Sequence, residues 1–85
     1  MILTVSVIVS NQEGLHARPA AELVKLVETS NHKVFISNKA GKRVSGSSLL
    51  GILSLGVQTG DPIELEVDGP AAQEILEQIK AVVAS

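Results

Sequence analysis

The chain has no cysteine, tryptophan or tyrosine, and Phe35 is its single aromatic residue. Without cysteine there can be no disulfide, iron–sulfur cluster or thiolate metal site, and nothing marks an oxidising compartment. One aromatic ring cannot build a stacking platform for nucleic acid or a cage for a cationic ligand, so no nucleic-acid partner is expected. No apolar run approaches the length that crosses a bilayer, so membrane insertion is not expected either. The opening MILTVSVIVS lacks a basic n-region and a cleavage site and is interrupted by Thr4 and Ser6, which leaves the cytoplasm as the default location. There is no G-x-x-x-x-G-K-[ST] loop and no Mg²⁺-binding carboxylate pair, so no nucleotide, metal or other cofactor is expected.

What remains is the composition of one soluble globular domain. The chain has 85 residues, 45% hydrophobic and 19% charged, and at this size roughly 60% of the unfolded surface can be buried without staples. A single domain over residues 1–85 is expected, and the Met1 start with a short tail suggests a free protein. Charge is uneven: residues 1–45 hold six basic and three acidic side chains, whereas residues 46–85 hold one basic and six acidic. The first half is the part that could attract an anion.

Period-two alternation rich in β-branched residues predicts a strand over Ile2 to Val9. From about Ala17, the apolar Ala20, Leu23, Val24 and Val27 recur at helical spacing. Strands are predicted over His32 to Ser37 and Lys42 to Ser45, joined by a turn at Asn38 to Gly41, with a short helical segment over Ser47 to Leu55. Pro62 to Asp68 sets Ile63, Leu65 and Val67 against Glu64, Glu66 and Asp68, and a last helix is expected from Pro70, with Pro70 in its first turn. The order β-α-β-β-α-β-α predicts an α+β open-faced sandwich, a sheet covered on one side by helices.

Gly14-Leu15-His16-Ala17-Arg18-Pro19-Ala20 lies where the first strand hands over to the first helix. Gly14 permits a sharp turn, and Pro19 belongs in the opening turn of a helix, where its missing N–H costs nothing. His16 therefore falls beside the positive end of the helix, which disfavours the imidazolium and keeps the ring nucleophilic. Free backbone N–H groups at Ala17 and Arg18, with the Arg18 guanidinium, could then hold the oxygens of a phosphoryl group carried on the ring. Transfer through a loose, metaphosphate-like transition state needs that charge stabilisation and alignment more than a general base. His32 has no comparable neighbours and reads as a surface residue at a strand edge. Lys33, Lys39, Lys42 and Arg43 read as a solvated basic tip, and Glu64, Glu66 and Asp68 as the wet face of a strand.

The segment Ser48-Leu49-Leu50-Gly51-Ile52-Leu53-Ser54-Leu55 is apolar on two faces and cannot bury both against one sheet. Ile52 and Leu55 are expected in the core, and Leu49, Leu50 and Leu53 in an exposed patch of the kind that marks a partner surface. Gly51 could let a partner approach closely, and Ser47 or Ser48 could cap the short helix. Around His16 the partner surface is expected to include Ala17, Arg18, Ala20, Leu49, Leu50 and Leu53.

GLHARPA, SSLLGILSLG and the element order together resemble the HPr family, the histidine-containing phosphocarriers of the bacterial phosphotransferase system. The resemblance implies a four-stranded antiparallel sheet under three helices. It implies a carrier rather than an enzyme, with Nδ1 of His16 accepting phosphate from phosphorylated enzyme I and passing it to an enzyme IIA, and with Arg18 as the site arginine. It further implies regulatory phosphorylation at Ser48 by a dedicated kinase, reversed by a phosphorylase, although Ser47 stands where the family usually has Lys or Asn. A monomer is expected. Two other readings stay open: a regulatory homologue that serves mainly as cofactor for a transcriptional regulator, and a ligand-sensing module of the ferredoxin-like kind.

Overall fold

Strands in which every second side chain is apolar can bury one row and wet the other, and four such strands form the sheet in a computed structural model that describes residues 1–84. They are β1 (Ile2–Ile8), β2 (Lys33–Ser37), β3 (Arg43–Ser45) and β4 (Pro62–Asp68), all antiparallel, in the order β1-β4-β2-β3. Val5 pairs with Leu65 and Leu65 with Ile36, so one row of aliphatic side chains crosses three strands on the covered face. Thr4, Glu66 and Phe35 form the matching row on the open face.

Three helices cover the sheet on one side: α1 (Ala17–Ser30), α2 (Leu49–Ser54) and α3 (Ala72–Ala84). The amphipathic stripes do this work. Leu23 and Val27 of α1 and Ile75, Leu76, Ile79 and Val83 of α3 are buried with Val34, Ile36, Ile63, Leu65 and Val67 of the sheet. Helices α1 and α3 pack on each other, α3 packs on β1 and β4, and α2 packs on α1 and β3. Asn31 ends α1 in the left-handed conformation at φ 59°, which asparagine tolerates better than most residues.

Several boundaries move, each for a local reason. β1 stops at Ile8 because Val9 turns to pair with the loop before β4, donating to the Asp61 carbonyl at 2.9 Å and accepting from Gly60 N–H at 2.7 Å. α3 begins at Ala72, leaving Pro70 outside its first turn, with the Ala71 carbonyl accepting the Ile75 N–H at 3.1 Å. His32 is not a free surface residue. Its half-buried ring joins two turns, Nδ1 lying 2.8 Å from the Ser30 carbonyl and Nε2 accepting the Ala71 N–H at 3.0 Å. A ring with its proton on Nδ1 satisfies both contacts. The basic tip is also less free than its composition suggests. Arg43 lies 3.7 Å over the Phe35 ring and pairs with Glu66 at 3.0 Å, and Lys39 pairs with Asp61 at 3.2 Å.

Two loops at one end of the sheet lock together, and they position everything discussed below. In the loop between α2 and β4, the Val57 carbonyl accepts the Leu15 N–H at 3.1 Å. Gly14 takes φ 62°, and a Cβ there would lie 2.6 Å from that same carbonyl oxygen. From the other side, the Val83 carbonyl accepts the N–H groups of Ser10 and Asn11 at 3.0 and 3.1 Å. Asp61 closes the Val57 loop by accepting the Gln58 N–H at 3.0 Å. That bond, and then the Lys39 ammonium, holds the Asp61 carboxyl below its ordinary range.

Gly14→Ala combines a left-handed backbone with a clash against main chain, and should lower stability by about 2 kcal/mol or more in urea unfolding. A variant as stable as wild type would mean that the two loops can separate freely. Because the Asp61 carboxyl is depressed in the folded chain, its contribution is present above the unfolded carboxyl value of about 3.9 and is lost as pH falls through the lower folded value. Wild type should therefore lose urea resistance more steeply than Asp61→Asn as pH drops below about 4. Parallel pH profiles for the two would show that Asp61 carries no such linkage.

Candidate functional site

Helix α1 starts without the usual capping side chain, and this defines the site. His16 occupies the cap position with an extended backbone at φ −80° and ψ −169°, and its carbonyl accepts the Ala20 N–H at 3.0 Å. Its imidazole makes no capping bond. The N–H groups of Ala17 and Arg18 therefore have no acceptor within the helix, and Pro19 has no N–H to satisfy. The first turn contains no acidic residue, so the positive end of α1 is not neutralised from within.

The loop fixes where this helix end points. Leu15 is buried, anchoring the residue before His16, while His16, Ala17 and Arg18 are exposed. Asn11 is also buried, and its Nδ2 donates to the Gly14 carbonyl at 3.0 Å, closing the turn. His16 borders two shallow depressions. Gln12 and Glu13 line one with it, and Leu15, Leu53, Gly56, Val57 and Gln58 line the other. An exposed imidazole beside unpaired N–H groups on an open surface suits an anionic group delivered by a large partner.

Leu53 brings α2 to this site. Leu49, Leu50 and Leu53 are 40%, 79% and 38% exposed, whereas Ile52 and Leu55 are buried, the division that the helical spacing predicts. Ser48 caps α2, its Oγ accepting the Gly51 N–H at 3.0 Å, and the neighbouring Ser45 and Ser47 hydroxyls lie 2.8 Å apart. Two expectations for the partner surface need correction. Ala20 is fully buried, because it faces the core one turn into α1 on the side opposite the exposed residues. Gly51 is only half-exposed, and a Cβ there would lie 2.9 Å from Ser48 Oγ and 3.1 Å from Val44 Cβ. Its missing side chain makes room for the cap and for β3, not for an incoming protein.

Arg18 is exposed and engaged: its Nη2 donates to Glu13 Oε1 at 2.5 Å. This hydrogen bond first, the charge of Glu13 next and that of Glu22 more weakly raise the guanidinium pKa above its ordinary value. Nothing in the helical pattern announces the contact, since the two residues are five apart and Glu13 lies in the loop. His32 lies on the turns at the far end of α1, apart from this cluster. Among the described residues, no group of three or more His, Cys, Asp or Glu side chains could hold a metal ion. No helix of the described residues is long and apolar enough to cross a membrane.

Comparison with known proteins identifies relatives of this fold. The family model for the PTS HPr component phosphorylation site matches residues 3–85. The crystal structure of a phosphocarrier protein HPr from Bacillus anthracis is similar at a TM-score of 0.89 and 37% identity, covering 95% of each chain. Phosphocarrier protein NPr from Klebsiella oxytoca is 36% identical over 84 residues, 99% of this chain and 90% of that one. A multiphosphoryl transfer protein from Salmonella typhimurium is 31% identical over 86 residues, 99% of this chain, but the match spans only 23% of that protein's length. The chain belongs to the HPr family of the phosphotransferase system, a family of phosphocarriers rather than enzymes.

Proposed function

We propose that His16 is the phosphoryl acceptor and donor of this carrier, taking the group on Nδ1 from phosphorylated enzyme I and giving it to an enzyme IIA. The observation that carries this reading is the uncapped start of α1, with an exposed imidazole in the cap position. The Nδ1 lone pair forms the new N–P bond while the bond from phosphorus to the donor breaks, its electron pair staying on the donor. The N–H groups of Ala17 and Arg18 take two of the phosphoryl oxygens, and the Arg18 guanidinium supplies the compensating charge.

The exposed Leu49, Leu50 and Leu53, with Ala17 and Arg18, form the docking surface for both partners. An interface that small and partly apolar favours short-lived complexes, which suits a relay that must release each partner. The chain acts as one phosphocarrier unit over residues 1–85, monomeric and in the cytoplasm. The exposed His16 favours the relay over a purely regulatory homologue, in which an accessible imidazole would have no task.

Incubation with phosphoenolpyruvate and enzyme I should place an acid-labile phosphoryl group on wild type and none on His16→Ala. Arg18→Ala should still be charged, about tenfold more slowly, the scale of one lost charge-assisted hydrogen bond. Labelling that persists in His16→Ala would move the acceptor elsewhere, and no labelling of wild type would reject the relay.

Ser48 is the regulatory site in this reading, its modification adding negative charge next to the leucine patch and opposing partner docking. Ser48→Asp should then slow charging by enzyme I several-fold while leaving far-ultraviolet circular dichroism unchanged. Charging at the wild-type rate would remove Ser48 from this role.

A further inference from the structure

Glu13 is an acidic side chain bonded to the site's arginine, and the phosphate cradle has no evident use for it. It lines the depression that His16 borders, and it also lines the neighbouring one with Ser10, Asn11, Gln12, Arg18 and Ala84. It therefore borders both the depression of the imidazole and that of the guanidinium. Its backbone has little freedom. Ser10 and Asn11 are tied to Val83, Asn11 to Gly14, and Leu15 to Val57. The carboxylate is thus presented from a fixed loop, whereas Arg18, with 76% of its side chain exposed, hangs from the outer face of α1 and can move.

We propose that Glu13 is a positioning residue that holds the Arg18 guanidinium while His16 is bare, so that an arriving phosphoryl group must compete with the carboxylate for it. The proposal deepens the reading of His16 as the acceptor and rests on it. The contact is a single hydrogen bond between two exposed groups, and such pairs are weak enough to be exchanged. A phosphoryl group carries at least the charge of a carboxylate and three acceptor oxygens, so it can draw Arg18 away. The exchange has a cost. Each time His16 is loaded, Glu13 loses its counter-ion and faces a second anion across a shallow surface depression.

The consequence is a bias in the relay. What moves from the donor to His16 is PO₃⁻: the bond from the donor to phosphorus breaks with its pair left on the donor, a P–N bond forms from the His16 lone pair, and no proton is consumed. Only the anionic charge at the site changes. By engaging Arg18 in the unloaded state, Glu13 stabilises the bare carrier relative to the loaded one and so raises the tendency of His16 to give its phosphoryl group onward.

The test compares wild type, Glu13→Gln, Arg18→Ala and the double variant, each equilibrated with phosphoenolpyruvate, pyruvate and a trace of enzyme I. The ratio of loaded to bare carrier is read by ³¹P NMR. Glu13→Gln should raise that ratio about threefold, within the range expected for exposed charge pairs. In the Arg18→Ala background the same substitution should raise the ratio by a clearly smaller factor, because only the direct repulsion between the carboxylate and the phosphoryl group is then relieved. A ratio in Glu13→Gln equal to or below that of wild type overturns the proposal, as does a rise just as large without Arg18. Those outcomes leave His16 as acceptor intact. A wild-type chain that takes no phosphoryl group at all overturns the acceptor reading, and this inference with it.

Discussion

The site depends on one backbone contact between two loops, the Leu15 N–H donating to the Val57 carbonyl with Gly14 pressed against the same oxygen. The contact is short because the glycine has no side chain, and it is possible because the glycine accepts a left-handed backbone. With Leu15 buried behind it, the chain enters α1 at a fixed angle and leaves His16, Ala17 and Arg18 on the surface. The sheet contributes only indirectly, by holding Val9 and the Asp61 turn on which the Val57 loop is built. The candidate site is therefore shaped by main-chain geometry, and the side chains around His16 are few.

Much of this was legible in the amino-acid order. Alternation in β1 and β4 and the helical stripes of α1 and α3 place the core rows where the structure has them, because those segments are long enough for the period to dominate. The division of α2 into buried Ile52 and Leu55 and exposed Leu49, Leu50 and Leu53 was legible for a different reason: a six-residue helix with two apolar faces has only one sheet to lie on. Gly14 and Pro19 also have conformational signatures strong enough to fix the start of α1 and so to place His16 at its edge.

The parts that were not legible are those decided by contacts between distant segments. His32 looks idle in sequence because its acceptor and donor partners are the turns at Ser30 and Ala71, which only the fold brings to one ring. The Glu13 contact to Arg18 bridges a loop and a helix and follows no helical spacing. Ala20 matches the surface motif by position yet turns inward, because one helical step past Pro19 the chain faces the core. Gly51 shows the same difficulty in reverse, as the space its missing side chain leaves is filled from within by Ser48 and Val44.

The lone aromatic ring lies under Arg43 on the open face of the sheet, so the hydrophobic core of the described residues is aliphatic. Such a core has no rings to lock its layers in edge-to-face arrangements and holds its order through the interdigitation of branched methyl groups alone. It also makes the protein optically silent to tryptophan and tyrosine emission. A single indole placed on the leucine patch would then report partner arrival against a dark background.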